Sequence, residues 1–353
     1  MIVAVKLGTS SLTHDDGTID DQAIAKACAE VASARASGHQ VVVVSSGAIA
    51  AGLPSLGLTA LDRPKDPVTL QAVSAVGQAK LMAVYDRCFA EFGLIAGQVL
   101  VTPNDFMVRS QYLHARATLE RLLELGVVPV VNENDAIADD EIRFGDNDRI
   151  AALVAQLVGA ELLVLLTDTA GVLTADPALD AEASLIEEIL QIDAELEAVA
   201  GGSGTTRGSG GMASKLAAAK IAAWSGVRTV IAAAQRPDVV ADAIAGVPGV
   251  GTIVQARSSR LSARKVWIAF AVASGGRVSV DAGAKAALQR DASLLAAGVT
   301  SCHGQFEADH AVEIVGPDGQ VFAKGLTRVS SYDLAAGNDG LVVHRDDLVV
   351  LPA

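Results

Sequence analysis

The chain has 353 residues, 51% of them hydrophobic but only 3% aromatic, and its 27 lysines and arginines face 41 aspartates and glutamates for a net charge of −14. That balance repels nucleic acid and anionic membrane unless a basic patch is concentrated locally, and the sequence holds none, so neither partner is expected. The length suits one large α/β domain plus a small one, and a core of Val, Leu, Ile and much Ala favours helices packed closely on a parallel sheet.

Ile2 to Val5 reads as a short apolar strand running into Lys6, Gly8, Thr9, Ser10 and Ser11. Small residues there let backbone amides approach an anion, with Lys6 pointing at it. A lysine after an edge strand is ordinarily only a solvated charge, so Lys6 needs corroboration from elsewhere. Asp21 to Ser37 reads as an amphipathic helix closed by Gly38, and Val41 to Val44 as the next buried strand, which together make a right-handed parallel crossover. The second strand ends in Ser45-Ser46-Gly47-Ala48, either a tight turn with a serine cap or a helix N-terminus offering amides to a carboxylate or phosphate. The uncharged run Gln40 to Leu61 is long enough for a membrane span, but its serines, glycines and Pro54 fit a strand and loop better.

A long helical pattern, Val68 to Phe92, leads to a strand from Leu94 to Val101, a helix from Tyr112 to Leu125, and then VVPVVNENDAIADDEIRFGDND from Val127 to Asp148. Val127 to Val131 reads as a buried parallel strand whose carboxyl end carries Asn132, Glu133, Asn134 and Asp135, where open α/β sheets bind ligands. Gly145-Asp146-Asn147-Asp148 precedes the apolar run Ile150 to Val158. Capping by Asp146 or Asp148 accounts for one acidic-amide cluster, whereas two clusters in one segment point to a site. Glu161 to Leu166 is a further strand ending in Thr167-Asp168. Gly201 to Lys215 is the most glycine-dense stretch, and it opens into an Ala-rich helix from Ala213 to Trp224 with Lys215 in its first turn. A donor-rich loop at a helix N-terminus is a phosphate cradle in physical terms; it does not match the Walker pattern, and a flexible linker would also be glycine-rich. After the strand Val227 to Ala232, residues 256–274 read as a link and the start of a second domain, and residues 275–353 as a small β-rich module. His344-Arg345-Asp346 imitates the catalytic loop of protein kinases without their other motifs and reads as a surface turn. Cys28, Cys88 and Cys302 have no metal-like spacing, no signal peptide precedes the first strand, and a reducing cytoplasm is expected.

Two lysines, Lys6 and Lys215, each at a glycine- and serine-rich anion loop, with acidic and amide side chains on the strand ends between them, form what phosphoryl transfer requires. No His, Ser or Cys triad can be nominated. The motifs VKLGTSSLT, VVVVSSGAIAAG, LVTPNDF, PVVNENDAIA, FGDNDRIAALVA, LLTDTAGVLTADP and GSGGMASKL in this order resemble the glutamate 5-kinases of the amino-acid kinase superfamily. The resemblance covers nearly the whole chain, because Arg277 to Leu351 looks like the PUA domain that many of those enzymes carry. It implies the amino-acid kinase fold over residues 1–255, a mostly parallel open sheet sandwiched by helices, with a PUA-like domain over residues 275–353.

The implied reaction is ATP-dependent phosphorylation of the γ-carboxylate of L-glutamate, the first step of proline synthesis, with proline as feedback inhibitor and Mg2+ carried by the nucleotide. By position, Lys6 and Lys215 resemble phosphate-contacting lysines and Asp148 the carboxylate that organises them. Ser46, Asp135 and Asn147 resemble glutamate-binding residues. Thr167, Asp168 and the loop Ser209, Gly210, Gly211, Met212, Ala213, Ser214 and Lys215 resemble ATP contacts, and no metal is bound by protein ligands alone. A homo-oligomer and a transient contact with the next pathway enzyme, glutamate-5-semialdehyde dehydrogenase, belong to the same expectation. Ser209, Ala213 and Ser214 depart from the family's T-G-G-M-S-T-K pattern, which keeps backbone amides but drops one hydroxyl. A sister kinase for acetylglutamate, aspartate or carbamate would share the lysines without needing Asp135 for a free ammonium. A non-enzymatic RNA-binding protein would leave Lys6 and the glycine loop unexplained.

Overall fold

The structure, a computed structural model, describes residues 1–14, 16–60, 63–137, 147–175, 180, 182–193, 196–197, 211–258, 260–272, 274–337 and 339–351. By contacts the chain divides into two units, Met1–Arg260 and Leu261–Ala353.

The first unit is built on β1 (Ile2–Leu7), β2 (Gln40–Ser45), β3 (Ala96–Val101), β4 (Val128–Glu133), β5 (Leu162–Thr167), β6 (Glu188–Ile189), β7 (Arg228–Ala233) and β8 (Thr252–Val254). Their order across the sheet is β3-β4-β2-β1-β5-β7-β8-β6. Every described neighbour pair is parallel except β7 with β8. This is the mostly parallel open sheet expected from the apolar runs. Strands buried on both faces read as continuous Val, Ile and Leu, and β1, β2, β4 and β5 do so. The helices are α1 (Asp21–Ala36), α2 (Ala48–Gly52), α3 (Pro67–Ala90), α4 (Pro103–Met107), α5 (Arg109–Glu124), α6 (Asn147–Leu157), α7 (Met212–Trp224) and α8 (Val239–Ala245). Asp20 and Asp66 cap α1 and α3 by accepting first-turn amides.

The first strand is not an edge strand but the centre of the sheet, paired with β2 and β5, so Lys6 lies opposite Val44 and Leu165. Successive side chains of a strand point to opposite faces. Val3, Val5 and Leu7 share a buried cluster with Ile24 and Val31 of α1, Tyr85 and Phe89 of α3 and Val239 of α8. Lys6 therefore faces the other layer. The crossover from β1 to β2 runs one way along the sheet and that from β4 to β5 the other, so right-handed connections put α1 and α6 on opposite faces. There α6 packs with α7, and their N-terminal turns bring Asp148 and Lys215 to the face that receives Lys6.

Two glycines seat α2 on α3. A Cβ at Gly77 would lie 1.7 Å from the Ala48 carbonyl oxygen, and one at Gly52 would lie 2.1 Å from the Val73 carbonyl oxygen. Only glycine allows the two backbones this separation.

The second unit holds β9 (Gly276–Val280), β10 (Leu294–Leu295), β11 (Val299–Gly304), β12 (Ala311–Val315), β13 (Val321–Thr327) and β14 (Leu341–Val350), in the order β10-β14-β13-β12-β9-β11. All pairs are antiparallel except β9 with β12. Val278, Phe306, Val312, Ile314 and Phe322 centre its core. Within the segment read as a link, Ala263–Val266 and Trp267–Ala271 are helical and pack against this unit's own strands. His344 to Asp346 lie inside β14 rather than in a turn.

Candidate active site

The carboxyl ends of β1, β2, β4 and β5 converge with the N-termini of α2, α6 and α7. At the seam sits Asp148, fully buried in the first turn of α6. One carboxylate oxygen is ion-paired with Lys6 Nζ. The other accepts from Lys215 Nζ at 3.2 Å and from Ser214 Oγ at 2.9 Å. Lys6 is 4% exposed and Lys215 6% exposed. Burial alone would raise the Asp148 pKa, but the charges of Lys6 and Lys215 and the hydrogen bonds from Lys6 and Ser214 outweigh it and hold the carboxyl below its ordinary value. Two buried ammonium groups thus meet around one buried carboxylate at the carboxyl edge of the sheet.

On the β2 and β4 side, Gly47 stands at φ +98°, a left-handed conformation that opens the turn into α2. Beside it the Ser46 hydroxyl accepts from Asn147 Nδ2 at 3.0 Å. The other end of that amide, Asn147 Oδ1, is buried and has no hydrogen-bond partner among the described residues. Asp135 follows β4 and accepts from Ser74 Oγ of α3 at 2.8 Å. Asn132 and Glu133, read from sequence as rim side chains, are the last two residues of β4 and are buried. Asn132 Nδ2 donates to Gln78 Oε1 of α3 at 2.8 Å while its Oδ1 accepts from the Glu133 amide. Sequence reading missed Ser74 and Gln78. Helix α3 also carries Thr69, Gln71, Lys80, Asp86 and Arg87, so nothing in its sequence sets these two polar residues apart.

On the β5 side the buried Thr167 donates from Oγ1 to the exposed Asp168 at 3.0 Å. Both line a cavity of about 310 Å³ at the carboxyl ends of β1 and β5, with Ser10, Ser11, Lys26 and Gln235 on its other walls. Lys6, Asp148 and Lys215 lie outside that lining. Gly211 is the N-cap of α7, and Met212, Ala213, Ser214 and Lys215 are its first turn. The Ser214 and Lys215 amides donate back to the Gly211 carbonyl, and the positive end of the helix dipole there suits phosphate oxygens. Ser209 and Gly210, with the rest of residues 198–210, lie outside the described residues, as does Asp146. The structure therefore brings Lys6, Asp148, Lys215, Ser214, Ser46 and Asn147 into one connected set, with Asp135 and Thr167-Asp168 at strand ends on either flank.

The model of the amino acid kinase family matches residues 1–233, and that of the PUA domain residues 276–347. A glutamate 5-kinase of Pelobacter propionicus is 43% identical over 99% of this chain and 97% of its own length, and one of Burkholderia multivorans is 44% identical with the same coverage. The chain belongs to the amino acid kinase family, in its glutamate 5-kinase branch. Membership agrees with the seven motifs and accounts for the second unit as a PUA domain. Among solved structures, a carbamate kinase from Giardia lamblia bound to AMP-PNP superposes with a TM-score of 0.51 at 17% identity, covering 72% of this chain and 98% of its own. That likeness carries the fold alone. No helix among the described residues is long and apolar enough to cross a membrane.

Proposed function

We propose that the protein transfers the γ-phosphoryl group of ATP to the γ-carboxylate of L-glutamate, giving L-glutamyl 5-phosphate for proline synthesis. The observation that carries this reading is the buried pair of lysines bridged by Asp148 at the carboxyl edge of the sheet, in a chain whose relatives are glutamate 5-kinases. Glutamate's γ-carboxylate, with an ordinary pKa of about 4.3, is ionised at neutral pH and attacks without a general base. What the reaction needs is charge neutralisation and alignment. Lys6 and Lys215 supply the first by meeting the non-bridging oxygens of the transferring phosphoryl group. Asp148, itself held by the Ser214 hydroxyl, keeps the lysine heads in place.

Glutamate binds on the β2 and β4 side. Asp135 and Asn147 Oδ1, which has no partner among the described residues, accept from its α-ammonium, and the amides and hydroxyl of the Ser46 turn donate to a carboxylate. ATP binds on the β5 side, through the first turn of α7 and through Thr167 and Asp168. The donor set suits a magnesium ion held by the nucleotide rather than by a protein cage. Asp148 is committed to two lysines, and no group of three His, Cys, Asp or Glu among the described residues could hold a metal. When bound, Mg2+ would add positive charge along the phosphate chain. Proline, sharing the α-ammonium and α-carboxylate, competes at the Ser46 to Asp135 side. The same reading includes cytoplasmic location, homo-oligomeric assembly and hand-over of the labile acyl phosphate to the next enzyme.

The test is ATP consumption with hydroxylamine present, across L-glutamate, N-acetylglutamate, aspartate and carbamate. Hydroxamate should form with L-glutamate. Turnover with another of these acids and none with L-glutamate would reject the reading.

A further inference from the structure

Helix α3 takes no part in the chemistry above, yet it backs the whole glutamate side. Ser74 is 3% exposed and Gln78 7% exposed. They stand one helical turn apart and so lie on one stripe. From that stripe Gln78 holds Asn132 and Ser74 holds Asp135, each at 2.8 Å. A serine inside a helix ordinarily turns its hydroxyl back to the carbonyl four residues earlier. Here it reaches out of the helix to a carboxylate 61 residues away in sequence. Among the described residues Asp135 has no other hydrogen bond. Burial pushes its carboxyl above the ordinary range, while the Ser74 hydrogen bond and the charge of Arg63 act the other way.

We infer that Ser74 is the positioning residue for Asp135: by holding Oδ2 it fixes the plane of the carboxylate and leaves Oδ1 to accept from the substrate's α-ammonium. An unanchored carboxylate would rotate about its two side-chain torsions and have to be ordered when substrate binds. With Oδ2 held, that ordering is complete before glutamate arrives. A hydrogen bond to a charged group is also among the stronger ones, so the serine offsets part of the cost of burying the aspartate. The role rests on the reading of Asp135 as the ammonium partner and extends it to a residue that touches no substrate.

Steady-state kinetics of the full chain test it with three variants: Ser74→Ala, Asp135→Ala and the two combined. Ser74→Ala should raise the KM for L-glutamate roughly tenfold, with kcat and the KM for ATP within about twofold of wild type. The double variant should be no worse than Asp135→Ala alone, because the serine acts only through the aspartate. An unchanged glutamate KM in Ser74→Ala, beside a raised one in Asp135→Ala, overturns the positioning role and leaves the function intact. Losses that add in the double variant, or that fall on kcat and the KM for ATP, also overturn it by marking Ser74 as a packing residue. An unchanged glutamate KM in Asp135→Ala overturns the assignment of the glutamate side and this inference with it.

Discussion

Lys6, Asp148 and Lys215 make each other's burial tolerable, and this coupling sets what their replacement should do. Charge on the transferring phosphoryl group is needed most in the transition state, so Lys6→Met and Lys215→Met should each lower kcat by ~100-fold, about 3 kcal/mol, with a much smaller change in the KM for glutamate. Single-turnover ATP cleavage measures it, and a kcat within a few-fold of wild type would remove that lysine from the site. Asp148→Asn removes the carboxylate charge that two buried ammonium groups share and should cost ~3 kcal/mol or more in urea unfolding. The folded Asp148 carboxyl sits below the ordinary aspartate value of about 3.9. The stability that ionisation brings is therefore complete above that value and fades only as pH falls through the depressed one. The gap between wild type and Asp148→Asn should accordingly hold from neutral pH down to about pH 4 and close below it. Lys215 and Asp148 were legible because each stands in the first turn of a helix, and Lys6 because it interrupts the apolar run of β1. Ser74 was not, since one small polar residue in a helix is ordinary until the strand it touches is known.

At the scale of elements, the glutamate side depends on how closely α2 lies on α3. Gly77→Ala would place a methyl group 1.7 Å from the Ala48 carbonyl oxygen and 2.5 Å from the Gly52 amide nitrogen. Rigid backbone on both sides forces the helices apart, at a cost of about 1–3 kcal/mol. Because the Ser46 turn leads directly into α2, the same change should raise the KM for glutamate while sparing that for ATP. Thermal unfolding and the two KM values together read both effects, and a stable variant with unaltered glutamate affinity would show that the helices slide independently of the turn. In the first unit, apart from β6 and β8, the strands were read from sequence to within two residues at each end, since β1, β2, β4 and β5 each carry an apolar run. Their order was not. Nothing in IVAVKL marks it as the centre of the sheet, and only its pairing with both β2 and β5 shows that Lys6 points into the layer holding α6 and α7.

Over the whole molecule, every residue assigned to the chemistry lies before Leu216, in the unit that ends at Arg260. A chain ending at Arg260 should keep glutamate-dependent ATP turnover. Ending instead at Gln255, the boundary suggested by composition, should also keep turnover but cost stability. Arg257 lies 4.2 Å over the Trp224 ring, and Arg260 Nε donates to the Ser225 carbonyl at 2.5 Å. These arginines tie down the carboxyl end of α7, whose first turn carries Lys215. The shorter chain should melt several degrees lower, at ~2–4 °C per kcal/mol lost, and equal melting temperatures would show the two contacts to be idle. The PUA unit, from Gly275 onward, has six basic residues against ten acidic ones. Salt-sensitive RNA binding at physiological ionic strength is not expected of it, and a filter-binding titration across salt concentrations checks this.

A sheet that grows outward from its first strand is completed in a definite order as the chain is made. One flank of β1, running through β2 to β4 and β3, is fully translated by Glu133, while the other begins only with β5 at Leu162 and waits for β7 at Arg228. Domains made from the N-terminus can start to fold before synthesis ends. On the ribosome, then, the half that recognises the amino acid has all its parts before Lys215 exists. Until β5 is made, one long side of β1 has no neighbour, an unpaired edge of the kind chaperones cover and aggregates recruit.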